Sequence, residues 1–121
     1  MKTLLLLSVG ILSLGPLSAQ TLRDTPDSTK KLIRVEASCG ECQFKMPGKG
    51  CHLAVRIDGK SYFVDGTSID DHGDAHGEHG FCETVRKANV QGAVVDNRFK
   101  VTYFRIQPVE KKRSDTPPGQ R

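Results

Sequence analysis

Apolar and polar side chains alternate in five short stretches of the chain, and this period of two is typical of β-strands with one buried face. The second stretch, CHLAVRI, puts Cys51, Leu53 and Val55 on one side. Asp58-Gly59 follows directly and is a strong signal for a two-residue turn, so the second and third strands are predicted to form a hairpin. The predicted strands cover residues 32–38, 51–57, 60–66, 89–95 and 99–106.

Two features interrupt this alternation. In the fifth stretch the pattern slips at Tyr103-Phe104, which predicts a bulge or a bend there. Between the third and fourth strands, residues 67–80 form a polar, glycine-rich loop. The segment 81–88 that follows has apolar residues at helical spacing and is predicted to form a short helix. The apolar residues of this segment are Phe81, Cys82, Val85 and Ala88.

The predicted order of elements is three strands, a short helix and two more strands. This is the order of a small five-stranded oligonucleotide/oligosaccharide-binding (OB) barrel. We therefore expect a mainly β domain over residues 31–108, an OB-like barrel, with an open antiparallel sheet covered by the helix as the alternative. The glycine in the fourth strand, Gly92, suits the close bends of such a barrel. A core built from about eighty residues is modest, so cross-links would add substantially to its stability.

The N-terminal residues 1–19 have the layout of a secretory signal peptide. Lys2 precedes an apolar run, Gly15-Pro16 interrupts it, and small residues lead to a cleavage site predicted after Ala19. The apolar run is too short for a transmembrane helix, and no later segment is long enough to span a membrane. The sequence thus predicts a periplasmic or secreted protein without a membrane span after cleavage.

Polar segments flank the predicted domain. Residues 20–30 are predicted to be a disordered linker, and residues 109–121 a disordered basic tail. The whole chain has a net charge of +4, but residues 31–108 contain 11 basic and 10 acidic residues. Because nucleic-acid binding needs a basic surface beside exposed aromatic side chains, we expect no nucleic-acid partner. The expected partner is an unidentified protein or small ligand.

The four cysteines carry the clearest chemical signal. Outside the cytosol thiols oxidise unless a metal or a reductase protects them, which favours two disulfides. A CxxC such as that of Cys39 and Cys42 is also the usual first half of a tetrahedral thiolate site for a metal such as zinc. A redox-active CxxC is disfavoured, because no helix is predicted after it. The cysteines in question are Cys39, Cys42, Cys51 and Cys82.

One of the disulfide pairings can be argued from the predicted elements. Cys51 shares a face with core residues of the second strand, and Cys82 lies on the apolar side of the predicted helix. If that helix covers one end of the barrel, the two sulfurs approach each other. A bridge between them would close a loop of about thirty residues and contribute about 3–4 kcal/mol.

The loop before the predicted helix holds a second set of metal-ligand side chains. His72, His76 and His79 are spaced HxxxH and HxxH, and Asp74 lies among them. Glycines disfavour a continuous helix here, but a loop can still gather imidazoles around an ion. Imidazole and carboxylate ligands suit zinc, copper(II) or nickel, whereas the thiols and Met46 suit copper(I). The alternative is a mobile surface loop without a ligand.

Several motifs taken together resemble a known family. CGECQF, KGCHLAVRIDGKSYFVDG, IDDHGDAH, GFC and VQGAVVDNRFKVTYF occur in this order. Over residues 34–106 the chain is similar to DUF6370, a group of small exported proteins of Bacteroidetes-type bacteria. The resemblance implies an exported single-domain protein and carries no catalytic role. The positions at which the chain matches the family motif are Cys39, Cys42, Cys51, Cys82, His72, Asp74 and His76.

No enzyme motif stands out in the sequence. The chain has no Gly-x-Ser-x-Gly, phosphate-binding loop or HExxH. We therefore expect a non-enzymatic exported binding module whose cysteine cluster and His/Asp loop hold zinc or copper. The alternative is a disulfide-stapled structural or interaction domain without a metal, and a thiol redox protein is less favoured.

Overall fold

Five strands account for most of the domain. The structure, a computed structural model, describes residues 21–110 together with Gly10 and Gly15. The strands are β1 (Ile33–Cys39), β2 (Leu53–Ile57), β3 (Lys60–Asp65), β4 (Arg86–Val95) and β5 (Arg98–Ile106). A single helical turn, α1 (Gly40–Gln43), follows β1, and a 3₁₀ helix (Ile69–His72) follows β3.

The strands form a closed barrel in the order β1-β2-β3-β5-β4. β1 is antiparallel to both β2 and β4, and this double pairing of β1 closes the sheet on itself. β3 and β5 form the one parallel pair among the described strands, short and centred on Val64 and Phe99. The expected OB-like barrel is therefore confirmed, and the open sheet is not formed. The predicted hairpin turn is also present, with positive φ at both Asp58 and Gly59.

Side chains that alternate along the strands fill the barrel. Every strand contributes to a single buried cluster, which explains why the period-two pattern located the strands well. Its fully buried members include Val55, Val90 and Phe99. Other strand residues in the cluster are Val35, Ala37, Leu53, Val64, Ala88, Val101 and Phe104.

The predicted helix over residues 81–88 is not formed. A short helix does lie between β3 and β4, but it is the 3₁₀ turn at Ile69–His72. Residues 81–83 make turns, and β4 begins at Arg86 because Ala88 pairs with Val35 of β1. Phe81 and Cys82 are buried individually, whereas Val85 is 37% exposed. The helical spacing of apolar residues in this segment was therefore coincidental.

The bulge predicted in β5 lies one residue earlier than expected. Gln91 pairs with Tyr103 and Gly92 with Val101, which leaves Thr102 as the extra residue. Gly92 is required at this point, because a Cβ there would collide with the carbonyl oxygen of Lys100. The glycine therefore permits the close bend that the sequence predicted.

The predicted disordered linker packs against the barrel over residues 21–30. The Arg23 amide donates to the Thr102 carbonyl at 2.8 Å, and Arg23 bridges to Tyr103 of β5. Further along, the buried side chain of Gln91 holds residues 27–30. Its amide nitrogen donates to the carbonyls of Asp27 and Lys30 at 2.8 and 3.0 Å, and its oxygen accepts from the Asp27 amide at 2.7 Å. The polar composition gave no sign of these contacts, because they use the backbone of the segment.

Some predictions fall on the ends of the chain. Apart from Gly10 and Gly15, the predicted signal peptide lies outside the described residues, as does the predicted tail from residue 111 onwards. In the part of the chain that the structure describes, no helix is long and apolar enough to cross a membrane.

A candidate metal centre of four cysteines

The four cysteines lie at one pole of the barrel, although Cys82 is 31 residues away from Cys51 in the sequence. Cys39 is the last residue of β1 and pairs with Leu53, so the end of β1 and the start of β2 lie side by side. Cys42 belongs to α1, and Cys51 comes two residues before β2. Cys82 lies in the turns that lead into β4. The strand register therefore delivers three of the cysteines to this pole, and the long loop delivers the fourth.

Backbone hydrogen bonds fix the segments that carry these cysteines. The Cys39 amide donates to the Phe81 carbonyl at 2.9 Å, and the Cys82 amide donates to the Ala75 carbonyl at 2.8 Å. The side-chain amide of Gln43 donates to the Cys82 carbonyl at 2.8 Å. The loop around Cys82 is thereby bound to both β1 and α1.

The CxxC wraps around a single helical turn. Cys39 caps this turn, and its sulfur accepts a hydrogen bond from the Cys42 amide at 3.3 Å. The sequence predicted no helix after this motif. The structure has a single helical turn within the motif, which ends at Gln43. An N–H group that points at a sulfur favours the thiolate, so this turn suits a metal-binding CxxC.

The sulfur atoms are close enough to share one ion. All four Sγ atoms lie within 4.8 Å of one another. The Cys51 and Cys82 sulfurs are 3.3 Å apart, and those of Cys42 and Cys51 are 3.8 Å apart. In a tetrahedral zinc–thiolate site with bonds of about 2.3 Å, neighbouring sulfurs lie about 3.8 Å apart. The cluster therefore fits the size of a four-thiolate metal site.

The same cysteines are also near enough to form disulfides. All four are free in this structure. A disulfide requires a separation of about 2.05 Å, so Cys51 and Cys82 would each move by less than an ångström, about 0.6 Å, to bond. The geometry is thus compatible with both metal binding and disulfide formation, the two roles that the sequence suggested for the cysteines.

Burial keeps two of the thiols protonated at neutral pH. Burial raises the pKa of the Cys39 thiol to about 12, and the neighbouring Cys42 thiol adds to this shift. Burial also raises the pKa of Cys82 well above its usual value, with Cys51 as the next contribution. A protonated thiol is a poor nucleophile, and a metal ion would have to displace these protons on binding.

Glu41 and His52 lie beside the cysteines and form a pair that was not predicted from the sequence. The carboxylate of Glu41 accepts from the His52 amide at 2.9 Å and from the ring Nδ1 at 2.5 Å. Its side chain is 9% exposed, whereas that of His52 is 66% exposed, as expected for a surface histidine. Burial acts to raise the pKa of Glu41, but the hydrogen bonds from His52 outweigh it and the pKa is lowered. The carboxylate therefore stays ionised beside Cys39, whose thiol points at it from 3.6 Å.

The predicted loop ligands do not join the cysteine group. Among residues 21–110, the group of at least three potential ligands within reach of one ion contains cysteines alone. The His72 ring instead bonds to the Thr67 hydroxyl at 2.9 Å and packs against Phe104. Asp74 accepts from the His76 amide at 2.9 Å, and His76 and His79 are exposed. The structure thus separates the Cys cluster from the His/Asp loop.

Fold and site together define a small closed β-barrel with a four-cysteine centre at one pole. A model of the family of unknown function DUF6370 matches residues 33–107. The chain therefore belongs to the DUF6370 family, as its motifs indicated. Comparisons with curated proteins and with solved structures found no match.

Proposed function

We propose that this protein is an exported, non-enzymatic binding module that holds one zinc or copper(I) ion on Cys39, Cys42, Cys51 and Cys82. The observation that carries the proposal is the convergence of four sulfurs from three segments, the CxxC turn, the start of β2 and the turns before β4, to within 4.8 Å of one another. Thiolates are the soft ligands that these two ions prefer, and a tetrahedral set of four is typical of zinc. The His/Asp loop is left out of the ligand set, because it does not join this group.

Metal binding accounts for the cysteines better than two disulfides do. Cys51 lies 3.3 Å from Cys82 and 3.8 Å from Cys42, so it is in contact with two sulfurs at once. A disulfide joins only two sulfurs. If Cys51 bonded to Cys82 or to Cys42, its close contact with the other of these two cysteines would have no bonding role. A single ion uses every sulfur in the cluster.

The second candidate is a disulfide-stapled domain without a metal. The 3.3 Å contact between Cys51 and Cys82 favours it, as does the oxidising compartment expected from residues 1–19. A thiol redox enzyme is less favoured, because a reactive cysteine needs a lowered pKa and burial raises the pKa of Cys39 to about 12.

Metal content and thiol count distinguish these candidates. The protein would be purified without oxygen, its zinc and copper measured by mass spectrometry, and its free thiols counted after unfolding without reductant. We expect one ion per chain and four thiols. Cys39→Ser should remove most of the metal, whereas His76→Gln, a change to an exposed loop residue, should leave the content unchanged. A metal-free protein with no free thiols, which also ignores added zinc and copper(I), would establish the disulfide candidate.

The proposal of export needs a separate experiment, because it rests on the signal-peptide pattern of residues 1–19 and not on the cysteine centre. The full chain would be expressed in a Gram-negative host, and the intact mass would be measured in the periplasmic fraction. Cleavage after Ala19 predicts a mature chain that begins at Gln20. Recovery of the uncut chain in the cytosol would reject export and leave the metal proposal standing.

A further inference from the structure

We propose that the cysteine centre is an exchange site, which takes up and gives away its ion through Cys42 to an incoming thiolate. This inference rests on the proposed metal binding and adds the route and the chemistry of the partner. The partner is a molecule with a free thiol, either a cysteine of another protein or a small thiol.

The exposure of the four cysteines points to one open side of the centre. Cys39 is completely buried and Cys82 is 9% exposed. Cys51 is half-buried, and Cys42 is exposed. An ion among these sulfurs would be shielded by the barrel on one side and reachable from solvent beside Cys42.

Hydrogen bonds within the protein hold the segments that carry the buried cysteines. Cys39 and Cys82 are fixed through their amides by the Phe81 and Ala75 carbonyls. Cys42 lies on a helix of only four residues, and a glycine-containing segment without regular structure leads from it to β2. The buried ligands can therefore stay in place while the Cys42 side chain swings away. An ion can leave without unfolding of the barrel.

The transfer is a ligand substitution without a change in oxidation state. The incoming thiol loses its proton to solvent and its sulfur bonds to the ion. The bond from the ion to the Cys42 sulfur breaks first, and the released thiolate takes up a proton from solvent. The bonds to the other three sulfurs are then replaced in the same way by further acceptor thiolates, each protein thiolate taking up a proton as it is released. The number of thiolates on the ion and its charge are the same before and after, so the step needs no oxidant or reductant.

Kinetics of zinc transfer test this route. The zinc-loaded protein would be mixed under anaerobic conditions with increasing amounts of free cysteine or of a CxxC peptide, with a zinc-sensitive dye as the final acceptor. Because the incoming thiolate attacks the ion, we expect the transfer rate to rise about tenfold for a tenfold increase in thiol. If the rate saturates with increasing peptide concentration but not with increasing free cysteine, the partner is a protein. If the rate rises linearly with the concentration of either thiol, the partner is a small thiol. A rate that does not depend on either thiol would overturn the proposal.

Alkylation identifies the ligand that leaves. Iodoacetamide would be added to the zinc-loaded protein, and the modified cysteine identified by peptide mapping. We expect Cys42 to react at least tenfold faster than the other three, and zinc release to follow its modification. Loaded Cys42→Ser should then release zinc at least tenfold more slowly under iodoacetamide, whereas loaded Cys51→Ser should still react at Cys42. Equal reaction of all four cysteines would contradict an exit through Cys42.

The two proposals fail in different ways. Absence of bound zinc before the transfer experiment would reject the metal centre itself. One bound zinc per chain, with release that is slow and independent of thiol, would leave the metal centre standing and reject exchange alone. Circular dichroism of each variant would show that the barrel is intact before its kinetics are compared.

Discussion

Gly40 is the residue on which the geometry of the CxxC turn depends most directly. A Cβ at this position would lie 2.6 Å from Cε1 of Phe63 and 2.9 Å from Sδ of Met46. Its backbone is fully used, since the amide donates to the His52 carbonyl and the carbonyl accepts from the Phe44 and Met46 amides. The turn therefore cannot move aside to make room for a side chain.

Gly40→Ala should accordingly destabilise the protein by about 1–3 kcal/mol through overpacking, and it should weaken zinc binding. Urea unfolding and a zinc titration measure the two effects. Because Phe63 supplies the nearest atom, the same change in a Phe63→Leu background should cost clearly less. An equal cost in both backgrounds would mean that the clash with Phe63 is not the cause.

His72 gives the domain a sensitivity to acid. Burial against Phe81 and Phe104 lowers the pKa of His72, and nearby Asp71 opposes this shift. The unfolded chain therefore binds the proton at a higher pH than the folded chain. The neutral ring contributes stability above a pH of about 6.5, and this contribution is lost as the pH falls below that value.

The expected result is a free energy of unfolding that falls between pH 7 and pH 5 more steeply in the natural protein than in His72→Phe. Phenylalanine keeps the aromatic packing and cannot titrate. Urea unfolding across this range measures the difference between the two proteins, so that effects common to both cancel. His76→Gln removes an exposed histidine of the same loop and should leave the slope unchanged. Parallel curves for the natural protein and His72→Phe would contradict this account.

At the scale of elements, a single buried side chain holds residues 27–30 of the N-terminal segment to the barrel. Gln91 is 1% exposed, and its side chain makes three hydrogen bonds to the backbone of residues 27–30. Gln91→Ala should cost about 1–2 kcal/mol, since it removes these bonds from a buried position. It should also speed hydrogen exchange at the Asp27 amide.

Gln107→Ala is the matched control for this change. The side chain of Gln107 makes an exposed hydrogen bond to the Arg105 carbonyl at 3.4 Å, so its loss should stay within about 0.5 kcal/mol. Hydrogen exchange that is equally slow at Asp27 in both variants would show that Gln91 does not hold the segment.

The elements that the sequence predicted well are those set by neighbours in the chain. Alternation located the five strands, and Asp58-Gly59 located the hairpin turn, because both depend on residues a few positions apart. The docking of residues 27–30 could not be read in this way, because its partner is a polar residue more than sixty positions away. The turn at Gly40 likewise depends on the His52 carbonyl of the next strand segment.

In the candidate site, too, the features set by nearby residues were predicted better than those set by distant ones. The spacing of Cys39 and Cys42 identified half of it from the sequence alone. The predicted approach of Cys51 and Cys82 is confirmed, with sulfurs 3.3 Å apart, although the segment of Cys82 forms turns and not the predicted helix. The loop histidines were grouped with the cysteines on residue type, and only the fold shows that they lie apart from that group.

At the scale of the whole molecule, the closed barrel makes folding largely independent of the cysteine centre. The strands pair around a continuous apolar core, whereas the cysteines lie at one pole. Domains that lack such a core are unfolded without their metal. This barrel should therefore keep its β-sheet circular dichroism when zinc is removed with a chelator.

Under the proposed metal binding, loss of the ion should nevertheless lower the melting temperature. An ion that binds only the folded chain, at a free concentration about 1,000 times its dissociation constant, stabilises it by about 4 kcal/mol. For a domain of this size each kcal/mol corresponds to about 4–8 °C, so chelation should lower the melting temperature by about 15–30 °C. A disulfide-stapled domain would respond in the opposite manner, with no effect of the chelator and a large effect of a reductant. Because the two treatments act on different bonds, melting curves with chelator alone and reductant alone separate the two uses of the same four sulfurs in one folded protein.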